Sequence, residues 1–145
     1  MRIAIATAFL CIVATTGYCQ KTYTITQLEK DYKKIPTNEV IAVKFSRVTS
    51  IQGDSPTTYQ VNLMDEDQER VLAYVNEAGV KWFERIQKLN KTLSIDQQAP
   101  VKIVYCTVEE QELINRNGGQ YLAPVIHCLG RSVSQAMGGS PQVSW

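Results

Sequence analysis

The chain has 145 residues, of which 44% are hydrophobic and 20% are charged, with 15 basic and 14 acidic side chains. This length suits one domain with a single core. The near-balance of charge excludes the strongly basic surface that supplies non-specific nucleic-acid binding, so nucleic acid is disfavoured as a partner.

The first twenty residues are typical of a secretory signal peptide. Arg2 precedes a short apolar run at 3–13, and small, weakly polar residues then lead to Gln20. The run is shorter than the roughly 20 residues that a membrane-spanning helix needs, and no later apolar run reaches that length. We therefore expect residues 1–20 to be removed and the mature chain to be secreted or periplasmic. Whether Cys19 is lipidated stays open.

Removal of the first twenty residues changes the charge and the cysteine count. One basic residue is lost, which leaves 14 basic and 14 acidic residues, and Cys106 and Cys128 remain. An even number of cysteines in an exported chain favours a disulfide. The turn at 117–119 brings Cys128 within one or two residues of the position opposite Cys106, and a bulge at Pro124 would complete the match. The alternative is two buried free thiols.

The first half of the chain predicts a capped helix and three strands. Residues 26–29, Thr-Gln-Leu-Glu, match a capping box, so a short helix should begin there and end before Pro36. Runs rich in β-branched or alternating apolar residues then predict strands at 40–48, 58–64 and 70–75. The third is ambiguous, because its apolar residues also fit a helix from 69 to 79.

An amphipathic helix at Val80–Asn90 separates these strands from two more. Its apolar side is formed by Val80, Phe83 and Ile86. Alternating runs at 101–108 and 121–129 predict two further strands, joined by a glycine-containing hairpin turn. Pro124 lacks an N–H and therefore requires an edge position or a bulge. Small and polar residues at 131–145 predict a loosely ordered tail.

Three strands, a helix and two strands resemble the OB-fold, a five-stranded Greek-key barrel. The resemblance spans 40–129, with the capped helix as an N-terminal addition. The chain resembles secreted and periplasmic bacterial OB-fold proteins that carry a leader and a short preceding helix. It implies a mainly β protein with two short helices and a single OB-like domain over residues 21–130. The alternative is an α+β fold, as in cystatin-like proteins, with an open antiparallel sheet packed on a helix.

The same resemblance implies a ligand surface on the second and third strands of the barrel. Aromatic rings beside amides and cations can stack and hydrogen-bond a sugar or base. The candidate ligand-binding residues are Tyr59, Asn62, Tyr74, Lys44, Arg47 and Arg70. The alternative places these tyrosines, Tyr59 above all, in the core.

No catalytic cluster is visible in the sequence. His127 is the only histidine, and no spacing suggests a metal or cofactor site. The acidic residues 65–67 lack the spaced pattern of a calcium loop and fit a solvated turn. A small secreted hydrolase would have to combine His127 with a carboxylate such as Glu109 or Glu110, and the distance between the two groups decides that alternative.

The function that these features favour is an exported, non-enzymatic binding module whose ligand is a protein or a glycan. Two alternatives stay open: the hydrolase that uses His127, and a secreted structural or inhibitory protein. An exposed apolar patch larger than a few hundred Å² would favour the latter. Residues 90–92, Asn-Lys-Thr, match a glycosylation acceptor in a host that modifies secreted chains.

Overall fold

The computed structural model describes residues 21–94, 96–135 and 141–145. The expected signal peptide at 1–20 lies outside the described residues. Within the described ranges, every helix is too short or too polar to cross a membrane.

The described elements are two α-helices and nine strands. In chain order they are β1 (Thr22–Thr24), α1 (Ile25–Asp31), β2 (Ile41–Phe45), β3 (Arg47–Gly53), β4 (Thr58–Met64), β5 (Arg70–Asn76), α2 (Glu77–Asn90), β6 (Lys102–Ile114), β7 (Gln120–Gly130), β8 (Ser132–Gln135) and β9 (Pro141–Ser144). A short 3₁₀ turn, Tyr32–Lys34, follows α1.

Seven strands form one curled sheet, a half-barrel with the strand order β1-β2-β6-β7-β5-β4-β3. The β1–β2 and β5–β7 pairings are parallel, and the other pairings in this sheet are antiparallel. Only Ser46 separates β2 from β3, and its N–H donates to the Met64 carbonyl oxygen at 2.9 Å. Because β2 and β3 lie near opposite ends of the strand order, this short link draws the two ends together, and the sheet curls.

The expectation of a mainly β protein with two short helices is confirmed, but the expectation of a five-stranded barrel is not. The sheet has seven strands because the first expected strand is divided at Ser46 and because β1 adds a parallel strand at one edge. The alternative of an open antiparallel sheet also differs from the structure, since two pairings are parallel. The ambiguous third run is a strand, and α2 begins only at Glu77, where Asn76 accepts the Gly79 N–H at 2.9 Å.

The core lies on the concave side of the sheet and is covered by both helices. Alternate residues of each strand point into it, as a period of two requires. Each large side chain that is fully buried there contributes about 1.5–3 kcal/mol relative to its exposed state. The fully buried apolar side chains include Ile25, Leu28, Ile41, Val43, Phe45, Val61, Leu63, Phe83, Val104 and Ile126.

Helix α1 begins two residues earlier than its sequence pattern suggests. The N-cap is Thr24, whose hydroxyl accepts the Gln27 N–H at 3.1 Å while the Gln27 side chain accepts the Thr24 N–H at 3.0 Å. Thr26 instead donates its N–H and its hydroxyl to Asp65 Oδ2, at 2.9 and 2.7 Å. Asp65 Oδ1 accepts two further N–H groups within the β4–β5 turn. The buried Asp65 therefore ties this turn to α1.

The C-terminal residues form a hairpin rather than the loosely ordered tail expected at 131–145. Strands β8 and β9 pair with each other, and the Trp145 ring lies 5.7 Å from the Phe83 ring. Two glycines allow this close approach. A Cβ added to Gly79 would lie 2.4 Å from the Trp145 ring, and one added to Gly130 would lie 2.4 Å from the Ser144 carbonyl oxygen.

Cys106 and Cys128 face each other directly across β6 and β7, but they are free thiols. The expected pairing position is therefore correct, and the expected disulfide is absent. No bulge at Pro124 is needed for this pairing, because the turn is a five-residue loop instead of the shorter one that was expected. The register shift lies between Tyr105 and Cys106. Among the described strands, β7 has a neighbour on one side only at Pro124, which is the edge position that proline requires.

Candidate functional site

The candidate site is the outer face, defined as the side chains of β3, β4, β5 and β7 that point away from the core. Val61 and Leu63 are fully buried, so the alternate residues of β4 point outward. Direct cross-strand partners then form three rows on this face: Arg47, Met64 and Arg70; Ser50, Asn62, Leu72 and Val125; Gln52, Gln60, Tyr74 and His127. Val125 is fully buried within its row.

An aromatic pair stands in the third row. The rings of Tyr74 and His127 stack at 5.3 Å between centroids, with 17° between their planes. The Tyr74 hydroxyl donates to Gln111 Oε1 at 2.8 Å, and His127 Nε2 lies 2.8 Å from Glu109 Oε1. Both rings are therefore held by a hydrogen bond to β6 as well as by each other, and they form a fixed, half-exposed aromatic surface.

Two amides beside this pair are also fixed. Asn62 Nδ2 donates to the Ser50 hydroxyl at 2.8 Å, and Gln60 Nε2 donates to Asp54 Oδ1 at 3.0 Å. These bonds use one N–H of each amide and set its orientation. Among the described residues, no other hydrogen bond of these amides is present, so each carbonyl oxygen and the second N–H can bind a ligand.

Two guanidinium groups border the amides. Arg47 and Arg70 are the cross-strand neighbours of Met64 on either side. Among the residues that the structure describes, neither forms an ion pair with a carboxylate. Arg47 Nη2 donates to the Gln97 carbonyl oxygen at 3.0 Å, which leaves most of its donors free.

The structure brings four of the six predicted ligand-binding residues together on the outer face: Asn62, Tyr74, Arg47 and Arg70. Tyr59 points to the other side and packs against the core, as its alternative interpretation held. Lys44 is exposed on β2, where it lines a separate cavity of about 350 Å³ with Thr24 and Asp67. The predicted set is therefore only partly a single site.

Sequence reasoning missed Gln60 and the role of His127 as a stacking partner. The period of two along β4 could have identified Gln60, because it shares a face with Asn62. No local signal could have identified the Tyr74–His127 stack, since it depends on the parallel pairing of β5 with β7, across which the two residues are 53 positions apart in the chain.

The distance between His127 and Glu109 meets the condition for a proton-transfer pair, but among the described residues no nucleophile is hydrogen-bonded to His127. Burial raises the pKa of the Cys106 and Cys128 thiols, and both point to the core. Thr107 is the cross-strand partner of His127, yet no hydrogen bond joins their side chains among the described residues. In the same part of the chain, no group of three or more acidic, histidine or cysteine side chains is placed to hold a metal.

No family model matches the chain, and no curated protein matches its sequence. What the outer face can do follows from its chemistry. Stacked rings offer apolar contact to a flat ring, fixed amides offer directed hydrogen bonds, and guanidinium groups offer donors to carboxylate or hydroxyl oxygens. A rigid sheet that carries these groups recognises a polar ligand with little loss of side-chain entropy.

Proposed function

We propose that the chain is an exported, non-enzymatic binding module whose outer face recognises a glycan or a polar protein surface. The observation that carries the proposal is the stacked Tyr74–His127 pair beside the fixed amides of Gln60 and Asn62. A sugar ring offers an apolar face for stacking and hydroxyl groups for the amides. The residues after the expected signal peptide have balanced charge, which favours such ligands over nucleic acid.

We also propose that the curled sheet is an OB-like barrel with β1 added at one edge. In this interpretation β2 and β3 are one strand bent at Ser46, followed by β4, β5, α2, β6 and β7. When β2 and β3 are counted as one strand, α2 lies between the third strand, β5, and the fourth strand, β6, as the helix of an OB-fold does. The outer face then includes β4 and β5, which correspond to the second and third strands on which OB-folds bind ligands.

Export itself is part of the proposal. Its support is the basic residue, the short apolar run and the small-residue exit within the first twenty residues. Expression in a bacterial host tests it, since export predicts a mature chain that begins near Lys21 in the periplasm or medium. A full-length chain retained in the cytoplasm would contradict it.

A binding screen against glycans, oligonucleotides and envelope extracts tests the binding function. We expect a ligand among the glycans or envelope proteins, and weaker binding by the Gln60→Ala variant. Gln98→Ala is a matched control, because each of the two glutamines donates one hydrogen bond to a carboxylate. Gln60 donates to Asp54 at 3.0 Å, and Gln98 donates to Glu66 at 2.9 Å. No binding in any of the three sets would contradict the proposal.

Hydrolysis is a second candidate because His127 Nε2 lies 2.8 Å from Glu109 Oε1. A panel of chromogenic esters and glycosides tests it. Turnover that His127→Ala abolishes and Tyr74→Ala retains would favour hydrolysis over simple binding.

A structural or inhibitory role is supported by the apolar side chains exposed near the β6–β7 turn, of which Ile114 is 69% exposed.

A further inference from the structure

The β6–β7 arm, residues 107–114 with 120–124, extends beyond the neighbouring strands. Strand β2 pairs with β6 only through residues 102–106, and β5 pairs with β7 only through residues 125–127. Within the arm, the two strands therefore pair only with each other. Among the described strands, each therefore has no neighbour on one side.

The free side of the arm on β7, residues 120–124, is an open strand edge. Among the described residues, its backbone has no hydrogen-bond partner other than β6. A groove of about 530 Å³ lies beside these residues, between β7 and the end of α1, and Glu29, Lys30 and Lys33 lie on its far side. An unpaired strand edge is a template for another extended strand.

This edge carries no charged side chain that would oppose pairing. Residues 117–126 contain no charged side chain, and Tyr121 and Leu122 are 47% and 59% exposed. The β6 side of the arm is different: it carries three glutamates, and Tyr32 of the 3₁₀ turn donates to Glu110 at 2.5 Å. Natural proteins usually protect an exposed edge with charges, and here only Pro124 limits pairing.

We propose that the occupant of this edge is the same edge of a second copy of the chain, paired antiparallel about a two-fold axis at Leu122. An uncharged edge meets itself without like-charge repulsion. In this register Leu122 faces the partner's Leu122, and Tyr121 faces the partner's Ala123, so the large tyrosine ring meets a small side chain. Two-fold symmetric dimers are the commonest oligomers of soluble chains, and their interface uses the same surface of both copies.

The dimer goes beyond the proposed binding function and does not depend on it. It joins two curled sheets through adjacent β7 strands, so that one continuous sheet carries two outer faces. A ligand with repeated units could then contact both faces at once, which raises the apparent affinity without any new contact.

Sedimentation velocity of the chain from Lys21 onward, which contains every described element, tests the dimer. We expect a dimer at concentrations on the order of 100 µM, and Leu122→Lys should weaken self-association by at least about tenfold because two like charges then face each other. Leu89→Lys is the matched control, since Leu89 on α2 is 61% exposed. A wild-type chain that stays monomeric, or equal effects of both variants, would overturn the proposal.

A second variant tests the position of the axis. Leu122→Cys places two thiols opposite each other in the dimer, and copper-phenanthroline, the oxidant, removes two electrons and two protons as the disulfide forms. The native Cys106 and Cys128 are buried and do not compete. We expect a covalent dimer on non-reducing gels for Leu122→Cys and little for Leu89→Cys. Equal yields from both variants, or no covalent dimer from Leu122→Cys, would contradict an axis at Leu122.

Discussion

The two faces of strand β7 carry different chemistry within three consecutive residues. Ile126 and Cys128 are buried in the core, whereas His127 between them is half-exposed and stacks on Tyr74. The same alternation runs along β4 and β5. Substitutions on the inner side should therefore change stability, and substitutions on the outer face should change recognition. Single substitutions on each face can measure how far stability and ligand recognition are separated.

Thiol reactivity should show the largest contrast between the faces. Burial raises the pKa of both Cys106 and Cys128, so at pH 8 neither forms the reactive thiolate in the folded chain. We expect no reaction with a thiol reagent until denaturant is added, and then two reactive groups in the chain from Lys21 onward. A His127→Cys variant, which moves a thiol to the outer face, should react while folded.

If Cys106 and Cys128 of the folded wild type react as fast as the new thiol of the His127→Cys variant, the inner and outer faces do not differ in thiol exposure, which would contradict the prediction. Two missing thiols after unfolding would instead mean that Cys106 and Cys128 had formed a disulfide, contrary to the free state in the structure.

Phe83→Ala should cost the most stability. Phe83 on α2 is fully buried, 5.8 Å from the Phe45 ring and 5.7 Å from the Trp145 ring. Truncation of such a side chain leaves a cavity and costs about 3–5 kcal/mol. Urea denaturation followed by tryptophan fluorescence measures it. Leu89→Ala on the exposed side of the same helix should cost under about 0.5 kcal/mol, and similar losses for both would contradict the assigned core.

Gly130→Ala tests the docking of the C-terminal hairpin. The added Cβ would lie 2.4 Å from the Ser144 carbonyl oxygen, so the hairpin must shift. We expect a loss of about 1–3 kcal/mol and a change in Trp145 fluorescence. Gly53→Ala is the control, because nothing lies within 4 Å of its added Cβ. An unchanged spectrum for Gly130→Ala would place the hairpin elsewhere.

Glu29→Gln should have a small, pH-dependent effect. Desolvation, followed by repulsion from Glu69, raises the pKa of Glu29 in the folded chain. The unfolded chain therefore loses this proton at lower pH than the folded chain, and stability falls as the pH rises from the ordinary carboxyl pKa through the raised one. Glutamine removes that loss.

We expect Glu29→Gln to gain less than about 1 kcal/mol at pH 7 and nothing at pH 3, since Glu29 is largely exposed. Thermal denaturation across this range measures the gain. The exposed Glu39→Gln is the control. A gain that is larger at pH 3 than at pH 7 would reverse the sign and contradict the raised pKa.

Local patterns in the sequence predicted the elements better than the contacts between them. The alternation in β4 and the apolar side of α2 correctly indicated which residues of those elements are buried. An element that buries one face carries apolar residues at a fixed spacing, so its sequence shows which face is buried. The C-terminal hairpin was missed because its small, polar residues give no periodic signal. Its docking depends on Gly130, which precedes the hairpin, and on Gly79, which is distant from it in the chain.

The candidate site was only partly predictable for the same physical reason. Asn62 and Tyr74 lie on strands that are adjacent in the chain, so their shared face follows from a hairpin. His127 joins them through a parallel pairing between β5 and β7, and Tyr59 falls on the buried side of β4. Residue type indicated a polar, aromatic surface, but only the strand order shows which side chains share it.

Tyr74→Ala, measured for both binding and stability, tests the central claim most directly. Titration of the ligand found in the screen should show at least about fivefold weaker binding, since one stacking ring contributes about 1–3 kcal/mol. The free energy of unfolding should change by under about 1.5 kcal/mol, because the half-buried ring loses one hydrogen bond. Tyr105→Ala, a half-buried tyrosine on β6 that lies outside the outer face, should bind as the wild type does. Unchanged binding by Tyr74→Ala would contradict recognition by the outer face.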